Sequence, residues 1–389
     1  MNIDGLTKLY PQFSMHIVSY IHPIRTYLPC TGAGRHINNT LLGLASREDI
    51  NLELLLAQQW LQADGKLDPR CPLRDLPLTT FPLPERLTER LWKLAQFPKM
   101  DRYLPEHPDW LFTPMETYIP VSRCPVAVTI YDIQAFETDL PWSNTRQHRW
   151  FRYKWSQWIY KALANYRLIF TLSEFSKRRM IELLGADARK IVVVGCGVEQ
   201  PFYDIFSIDP AKLVNPIVDP YTLVIGGLRL KKGGNFILNL AKGLLDIHSD
   251  LQIVVAGDSE PEYIAAAREL PNLKLLGLVP DDDLPWLLRC ASSLLFLSHY
   301  EGFGIPAIES MAAGTPVVVS NRASLPEVVG TAGIVVEPEN TAAVVDTLNQ
   351  LHKNSQLRAD YSQRGREHSK NYTWAHCVDR VQKAFYEYI

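Results

Sequence analysis

No apolar run in this 389-residue chain approaches the ~18 residues that a membrane-spanning helix requires, which excludes a helical integral membrane protein. Met1 to Tyr10 lacks an apolar core behind a basic start, so no secretory signal is expected and the reading is a cytoplasmic protein. Cysteine is scarce and scattered: Cys30, Cys71, Cys124, Cys196, Cys290 and Cys377 include no Cys-x-x-Cys pair. That argues for reduced thiols rather than disulfides or zinc. The net charge is only −2, which gives no global basis for binding nucleic acid. No His, Cys or Asp cluster has metal-ligand spacing, so no metal and no cofactor is expected. No internal repeat of roughly 20–50 residues is visible. A dinucleotide fingerprint is missing as well. Gly32-Ala33-Gly34 comes nearest, but position 37, where the next glycine is due, is Ile37. That disfavours an NAD-dependent oxidoreductase.

What the chain does have is ample apolar content, 47%, and enough length for two cores. Near-continuous, β-branched apolar runs recur at 16–21, 52–56, 126–131, 168–172, 191–194, 223–225, 253–256, 273–276, 294–297, 317–319 and 334–336. Such runs suit parallel strands covered on both faces. Longer amphipathic stretches separate most of them, which makes the class α/β, with two doubly wound, Rossmann-like domains. The proline-punctuated stretch Pro201 to Pro220 marks the boundary, giving domains over residues 1–205 and 206–373 and a last helix over 374–389. Eleven of the 27 prolines lie between Pro69 and Pro125, so residues of about 60–125 are expected to be irregular.

The most informative stretch runs from Tyr300 to Thr315. It follows an apolar strand and places Gly302, Phe303, Gly304 and Ile305 at an expected helix start, with Pro306 in its first turn. The unpaired N–H groups of such a start suit a phosphate. Two carboxylates, Glu301 before the turn and Glu309 within the helix, repel phosphate but accept hydrogen bonds from vicinal hydroxyls. A ligand with both phosphate and hydroxyls, a nucleotide sugar, fits the pair. The loop after strand 223–225, Gly226-Gly227-Leu228-Arg229-Leu230-Lys231-Lys232-Gly233, supplies cations for a departing diphosphate.

This pattern resembles the retaining family-four glycosyltransferases of the GT-B fold, whose signature is two glutamates separated by seven residues. The resemblance continues through Ala313 to Val318 and through Ser324 to Val328. It implies two Rossmann-like domains facing a central cleft, with the closing helix crossing back to the first. It also implies transfer with retained configuration and without essential metal, by a front-face route in which the leaving diphosphate helps deprotonate the acceptor. By resemblance Glu301 holds the donor sugar, Glu309 the ribose, and Arg229 and Lys232 the diphosphate. The backbone of Leu278 and Val279 meets the base, and Gly34 lies near the donor phosphates. Two positions depart from the pattern: Gly227 stands where many relatives carry arginine, and Tyr131 stands where many carry histidine before Asp132. Arg229 or Lys231 then supplies the missing charge. Asp132, beyond the end of a strand, orients a sugar or simply caps a turn. Ser173-Glu174 caps a helix or touches ligand.

Asp281-Asp282-Asp283 reads as an acidic helix start rather than a metal motif. Residues 142–190 carry eleven Lys or Arg against three acids, with Trp142, Trp150, Trp155 and Trp158 among them. That segment is either a packed helix with a solvated basic face or a peripheral contact with the inner membrane surface. The expected partners are a nucleotide-sugar donor, UDP-glucose ahead of GDP-mannose, and a carbohydrate or lipid-linked glycan acceptor in polysaccharide synthesis. The competing readings are an epimerase of the same fold and a non-catalytic nucleotide-sugar-binding protein.

Overall fold

The eleven apolar runs all fold as strands in the computed structural model, which describes residues 14–28, 31–208, 217 and 220–389. Met1 to Tyr10, Cys30 and most of the proline-punctuated boundary (209–216, 218 and 219) lie outside the described residues. The chain divides into two compact units, residues 1–195 with 374–389, and residues 196–373.

Among the described residues, the first unit holds seven strands: β1 Met15–Tyr20, β2 Ile50–Ala57, β3 Leu78–Phe81, β4 Trp110–Thr113, β5 Val126–Thr129, β6 Leu168–Thr171 and β7 Ile191–Val193. They form one parallel sheet in the order β3-β2-β1-β4-β5-β6-β7. Its helices are α1 Gly32–Ala45, α2 Glu85–Ala95, α3 Arg146–Asn165 and α4 Glu174–Leu184. The second unit holds β8 Tyr221–Ile225, β9 Gln252–Ala256, β10 Leu273–Gly277, β11 Ser293–Phe296, β12 Val317–Ser320 and β13 Ile334–Val336. These are again all parallel, in the order β10-β9-β8-β11-β12-β13. Its helices are α5 Gln200–Asp204, α6 Gly234–Asp246, α7 Pro261–Ala267, α8 Leu284–Cys290, α9 Ile305–Ala312, α10 Leu325–Val329, α11 Thr341–Lys353 and α12 Ser355–Ser369. The closing helix, α13 Trp374–Tyr388, packs in the first unit: Phe385 lies against Phe112 and Phe170, and its carbonyl accepts from Trp110 Nε1 at 3.2 Å.

Two strands, β3 and β4, lie inside the proline-rich stretch expected to be irregular, and α2 lies there too. The prolines flank these elements instead of entering them. Pro77 and Pro82 bracket β3, which is an edge strand and tolerates them. Pro108 and Pro114 stand outside β4, whose four residues are all buried between β1 and β5. Proline count alone hides a short central strand of this kind. The Gly32-Ala33-Gly34 turn also differs: these residues are the first turn of α1, capped by Thr31, whose hydroxyl accepts from Gly34 N.

Strand order reverses once in each sheet, between β1 and β4 and between β8 and β11. At such a point the connections leave in opposite directions and open a crevice beyond the carboxyl ends of the strands, where ligands of these sheets bind.

Candidate functional site

The β8/β11 crevice collects most of the residues singled out from the sequence. After β8 the chain turns at Gly226 and Gly227, both of whose N–H groups donate to the Ala256 carbonyl at the end of β9. Gly227 has φ +74°, and a Cβ there would lie 1.9 Å from the Asp258 carbonyl oxygen. The position at which many relatives carry arginine therefore has no room for a side chain in this backbone. Arg229, two residues on, turns to Asp258: Nη2 lies 2.7 Å from Oδ2, and Nε donates to the carbonyl at 3.0 Å. Both side chains of that pair are well exposed, so water screens it.

Lys232 ends a short 3₁₀ turn, Leu230–Lys232, just before α6. Its Nζ lies 2.6 Å from Glu301 Oε1 and 5.2 Å from the centre of the Phe296 ring. The connection after β8 thus meets the connection after β11 across the crevice. Burial pushes the Glu301 carboxyl towards its neutral form. The positive charges of Lys232 and Lys231, with the Lys232 hydrogen bond, outweigh that and hold it below the usual carboxylate range.

Gly304 caps α9 with φ +108°, and Pro306 stands in the first turn. A Cβ at Gly304 would come within 2.6 Å of Leu325 Cδ2, so the turn is tight against α10. The Ser324 hydroxyl lies 2.9 Å from the Glu301 carbonyl and 2.8 Å from that of Phe303 and donates across the pair, which fixes the loop on which Glu301 rides. Phe303 is buried, edge-on to Tyr372. Glu309 is buried one turn into α9. Leu278, beyond β10, is 84% exposed beside Val279.

Asp132 and Gly34 belong to the first unit. Asp132 Oδ1 accepts from Gln134 N at 2.9 Å, closing the turn that leads into Gln134–Phe136. Tyr131 donates to the Pro114 carbonyl at 2.8 Å and stands edge-on to His36. Across the β1/β4 reversal, Arg25 Nη1 meets Glu116 Oε2 at 3.3 Å. Burial lifts the Glu116 carboxyl to about 6. Arg25 opposes that rise and Asp132 adds to it.

Several residues here carry no mark in the sequence. Arg25, Glu116 and Asp258 sit in no motif. Ser324 lies in a recognised stretch, but its role depends on a fold-back onto residues 21 to 23 positions earlier. His299 is buried with Nδ1 2.6 Å from Arg322 Nη1, and burial with that guanidinium depresses it to about 4. Asp281–Asp283 form a 3₁₀ turn ahead of α8, and Asp283 accepts from Trp286 Nε1. Among the described residues no three His, Cys, Asp or Glu side chains come together so as to hold a metal ion.

Comparison with known proteins agrees with this layout. Residues 207–368 match the family model for glycosyl transferases group 1, and residues 31–200 match that for glycosyltransferase family 4. The O-antigen chain mannosyltransferase B of Escherichia coli is 27% identical over 95% of this chain and 99% of its own. The phosphatidyl-myo-inositol mannosyltransferase of Mycobacterium leprae is 28% identical over 55% of this chain and 57% of its own. Among solved structures, the sucrose-phosphate synthase of Thermosynechococcus elongatus superposes with a TM-score of 0.71 at 16% identity, covering 96% of this chain and 98% of that one. WaaG, a glycosyltransferase involved in lipopolysaccharide biosynthesis, superposes at 0.67 with 14% identity, covering 95% and 99%. The fold is that of the GT-B glycosyltransferases, and the family matches support a group 1 glycosyltransferase.

Proposed function

We propose that this glycosyltransferase moves a hexose from a nucleotide sugar to a growing glycan or lipid-linked acceptor, with retention at the anomeric carbon and without a metal ion. The observation that carries the reading is the Lys232–Glu301 pair across the β8/β11 crevice, at the capped start of α9. In the proposal, the donor exchanges partners within this pair. Its diphosphate takes Lys232, with the N–H groups of residues 303 to 305 at the positive end of α9. Glu301, released from the lysine, accepts hydrogen bonds from sugar hydroxyls. Glu309 holds the ribose, and the base lies on the Leu278–Val279 loop. The first unit takes the acceptor at the β1/β4 crevice, with Asp132 as a sugar-orienting group. The bond from the anomeric carbon to the phosphate oxygen breaks as the acceptor oxygen attacks from the same face, and the acceptor proton passes to the departing diphosphate. Lys232 stabilises a charge that grows only as the bond breaks, which raises rate rather than mere affinity.

The names of the mannosyltransferase relatives favour a mannosyl donor such as GDP-mannose, and UDP-glucose is the second reading. A thermal-shift screen of UDP- and GDP-sugars decides between them. A ligand present at about 100 times its Kd stabilises the folded chain by about 2.7 kcal/mol, a readily measured rise in melting temperature. The response is expected to vanish in Glu309→Ala. No response to any nucleotide sugar, or an equal response in that variant, overturns the donor-site assignment. Donor consumed to a new sugar epimer with no acceptor present identifies an epimerase instead.

A further inference from the structure

The carboxyl edge of the first sheet carries a polar cluster that the proposed reaction does not use. Three adjacent strands feed it. β1 ends on Tyr20, and His22 follows in the connection. β2 runs straight into the 3₁₀ turn Gln58–Trp60, and the chain after β3 enters α2 at Glu85. Glu85 is buried, and its carboxylate takes three donors from the other two strand ends: His22 Nε2 at 2.8 Å, Trp60 Nε1 at 3.0 Å and the Tyr20 hydroxyl at 3.3 Å. A buried carboxylate satisfied in this way holds its partners rigidly. Here it fixes two ring systems by their N–H groups, and the centres of the His22 and Trp60 rings lie 5.2 Å apart. Both rings are partly exposed, and Gln58 beside them is exposed. Their support is fixed as well. The excursion over residues 61–76 is tied to the connection after β1: Leu28 N donates to the Arg70 carbonyl at 3.0 Å, Thr26 Oγ1 lies 3.1 Å from Cys71 Sγ, and the Arg70 guanidinium stands 5.0 Å from the Tyr27 ring centre.

We propose that His22 and Trp60 form a platform for a sugar ring of the acceptor next to the ring that reacts, so that the enzyme selects a glycan of at least two sugars. The inference rests on the transferase reading above and adds a specificity site to it. The reacting sugar is assigned to the β1/β4 crevice, beside Asp132. β2 lies one strand beyond β1, a step of roughly 5 Å, so its end is within one or two sugar rings of that crevice. The apolar face of a sugar ring presents C–H groups, and the negative face of an aromatic ring attracts them. Polar groups stand at the platform's edge for the sugar's hydroxyls: Gln58, and Glu89, whose Oε1 lies 3.4 Å from the Tyr20 hydroxyl. A nucleobase also stacks on such rings, but the carboxylates of Glu85 and Glu89 beside them oppose the phosphates it brings. Glu85 acts through the two rings and is a positioning residue.

Ligand-observed NMR saturation transfer from the full chain tests it. The probes are methyl α-mannoside, mannobiose and mannotriose, with methyl α-glucoside, maltose and maltotriose as a second series. In the better-bound series the disaccharide is expected to bind about tenfold more tightly than the single sugar, the scale of one aromatic contact, with saturation reaching the C–H groups of both rings. Trp60→Ala is expected to bring the disaccharide down to the single sugar's affinity and to leave the single sugar unchanged. Trp60→Phe keeps a ring face, loses the bond to Glu85, and is expected to retain part of the preference. Equal affinity for one and two sugars in the wild type, or binding of neither series, overturns the inference. So does a Trp60→Ala chain that keeps the preference, and a lowered melting temperature in that case reduces the cluster to a packing contact. The thermal shift with nucleotide sugars is read on the same variants. A wild-type donor response beside a failed glycan preference refutes the platform alone, whereas glycan preference without any donor response refutes the transferase reading and leaves the platform standing.

Discussion

Replacing Lys232 by methionine keeps most of the side chain's volume and removes its charge. The ammonium lies 2.6 Å from Glu301 Oε1, with the two side chains 24% and 15% exposed. At an effective dielectric near 20 the gross attraction at that separation is about 6 kcal/mol. Most of it is offset by desolvation, so the net effect on stability is about 1–3 kcal/mol. The effect on transfer is expected to be separate and larger in kind. A fixed donor facing charge that develops in the transition state typically contributes about 10²–10³ in rate. The lysine also keeps Glu301 ionised against the opposing pull of burial. Without it the carboxyl takes up a proton at higher pH, so the acid limb of the pH–rate profile moves towards neutrality. In the wild type, the depressed folded value of Glu301 contributes stability above its unfolded pKa, and that stability is lost as pH falls through the folded value. In Lys232→Met this contribution disappears. The assay is kcat/KM for transfer across pH, alongside melting temperature. Lys232→Arg keeps the charge and is expected to recover part of the rate. A Lys232→Met enzyme with wild-type kcat/KM and an unmoved acid limb refutes the reasoning. So does an equal loss in Lys232→Arg accompanied by unfolding, which reduces the pair to a structural contact.

Restoring the arginine that many relatives carry, Gly227→Arg, is expected to lower stability by about 2–5 kcal/mol, since it combines left-handed strain with a 1.9 Å approach of Cβ to the Asp258 carbonyl. A melting temperature within a degree of wild type contradicts that backbone geometry. Stability is also expected to fall on acidification. Burial holds His36 at about 4, and burial together with Arg322 holds His299 at about 4, against an ordinary value near 6.5. Both folded values are depressed, so the unfolded chain takes up protons first. The contribution is complete above about 6.5 and shrinks as pH falls towards 4, by up to about 3 kcal/mol for each ring. Denaturant midpoints between neutral and acid pH check it, and a flat profile sinks it.

The strands were legible because buried parallel strands need unbroken apolar runs, and eleven such runs stand out. The proline-flanked β3 and β4 were not, because a four-residue strand leaves too short a pattern to outweigh its punctuation. At the site, the turn and both glutamates were legible as one local motif. Lys232 was legible as a cation of the same site, but its direct pairing with Glu301 was not, nor was the Arg25–Glu116 pair. Lys232 stands 69 positions from Glu301, and Arg25 stands 91 from Glu116. Only the strand order brings such residues together, and strand order has no local signature. The loss of arginine at Gly227 looked like a missing charge. In the fold it is a steric requirement of one tight turn, and the neighbouring lysines act on Glu301 regardless.

The two reversals in strand order hold their buried acids in different electrostatic surroundings, and this supports the proposal that they take different ligands. At β8/β11 the lysines Lys231 and Lys232 face Glu301, and their combined field is strong enough to depress the acid despite its burial. Two lysines fixed beside that acid favour a diphosphate in the proposed assignment. At β1/β4, Arg25 faces Glu116 with Asp132 adding negative charge, and burial wins, lifting Glu116 to about 6. A phosphate there meets two acids and one exposed arginine, an unfavourable exchange for the water it leaves. Neutral hydroxyls meet good acceptors at no such penalty. In the proposed assignment, the lysines beside Glu301 suit the β8/β11 crevice to an anionic donor, and the acids beside Arg25 suit the β1/β4 crevice to a hydroxylated acceptor.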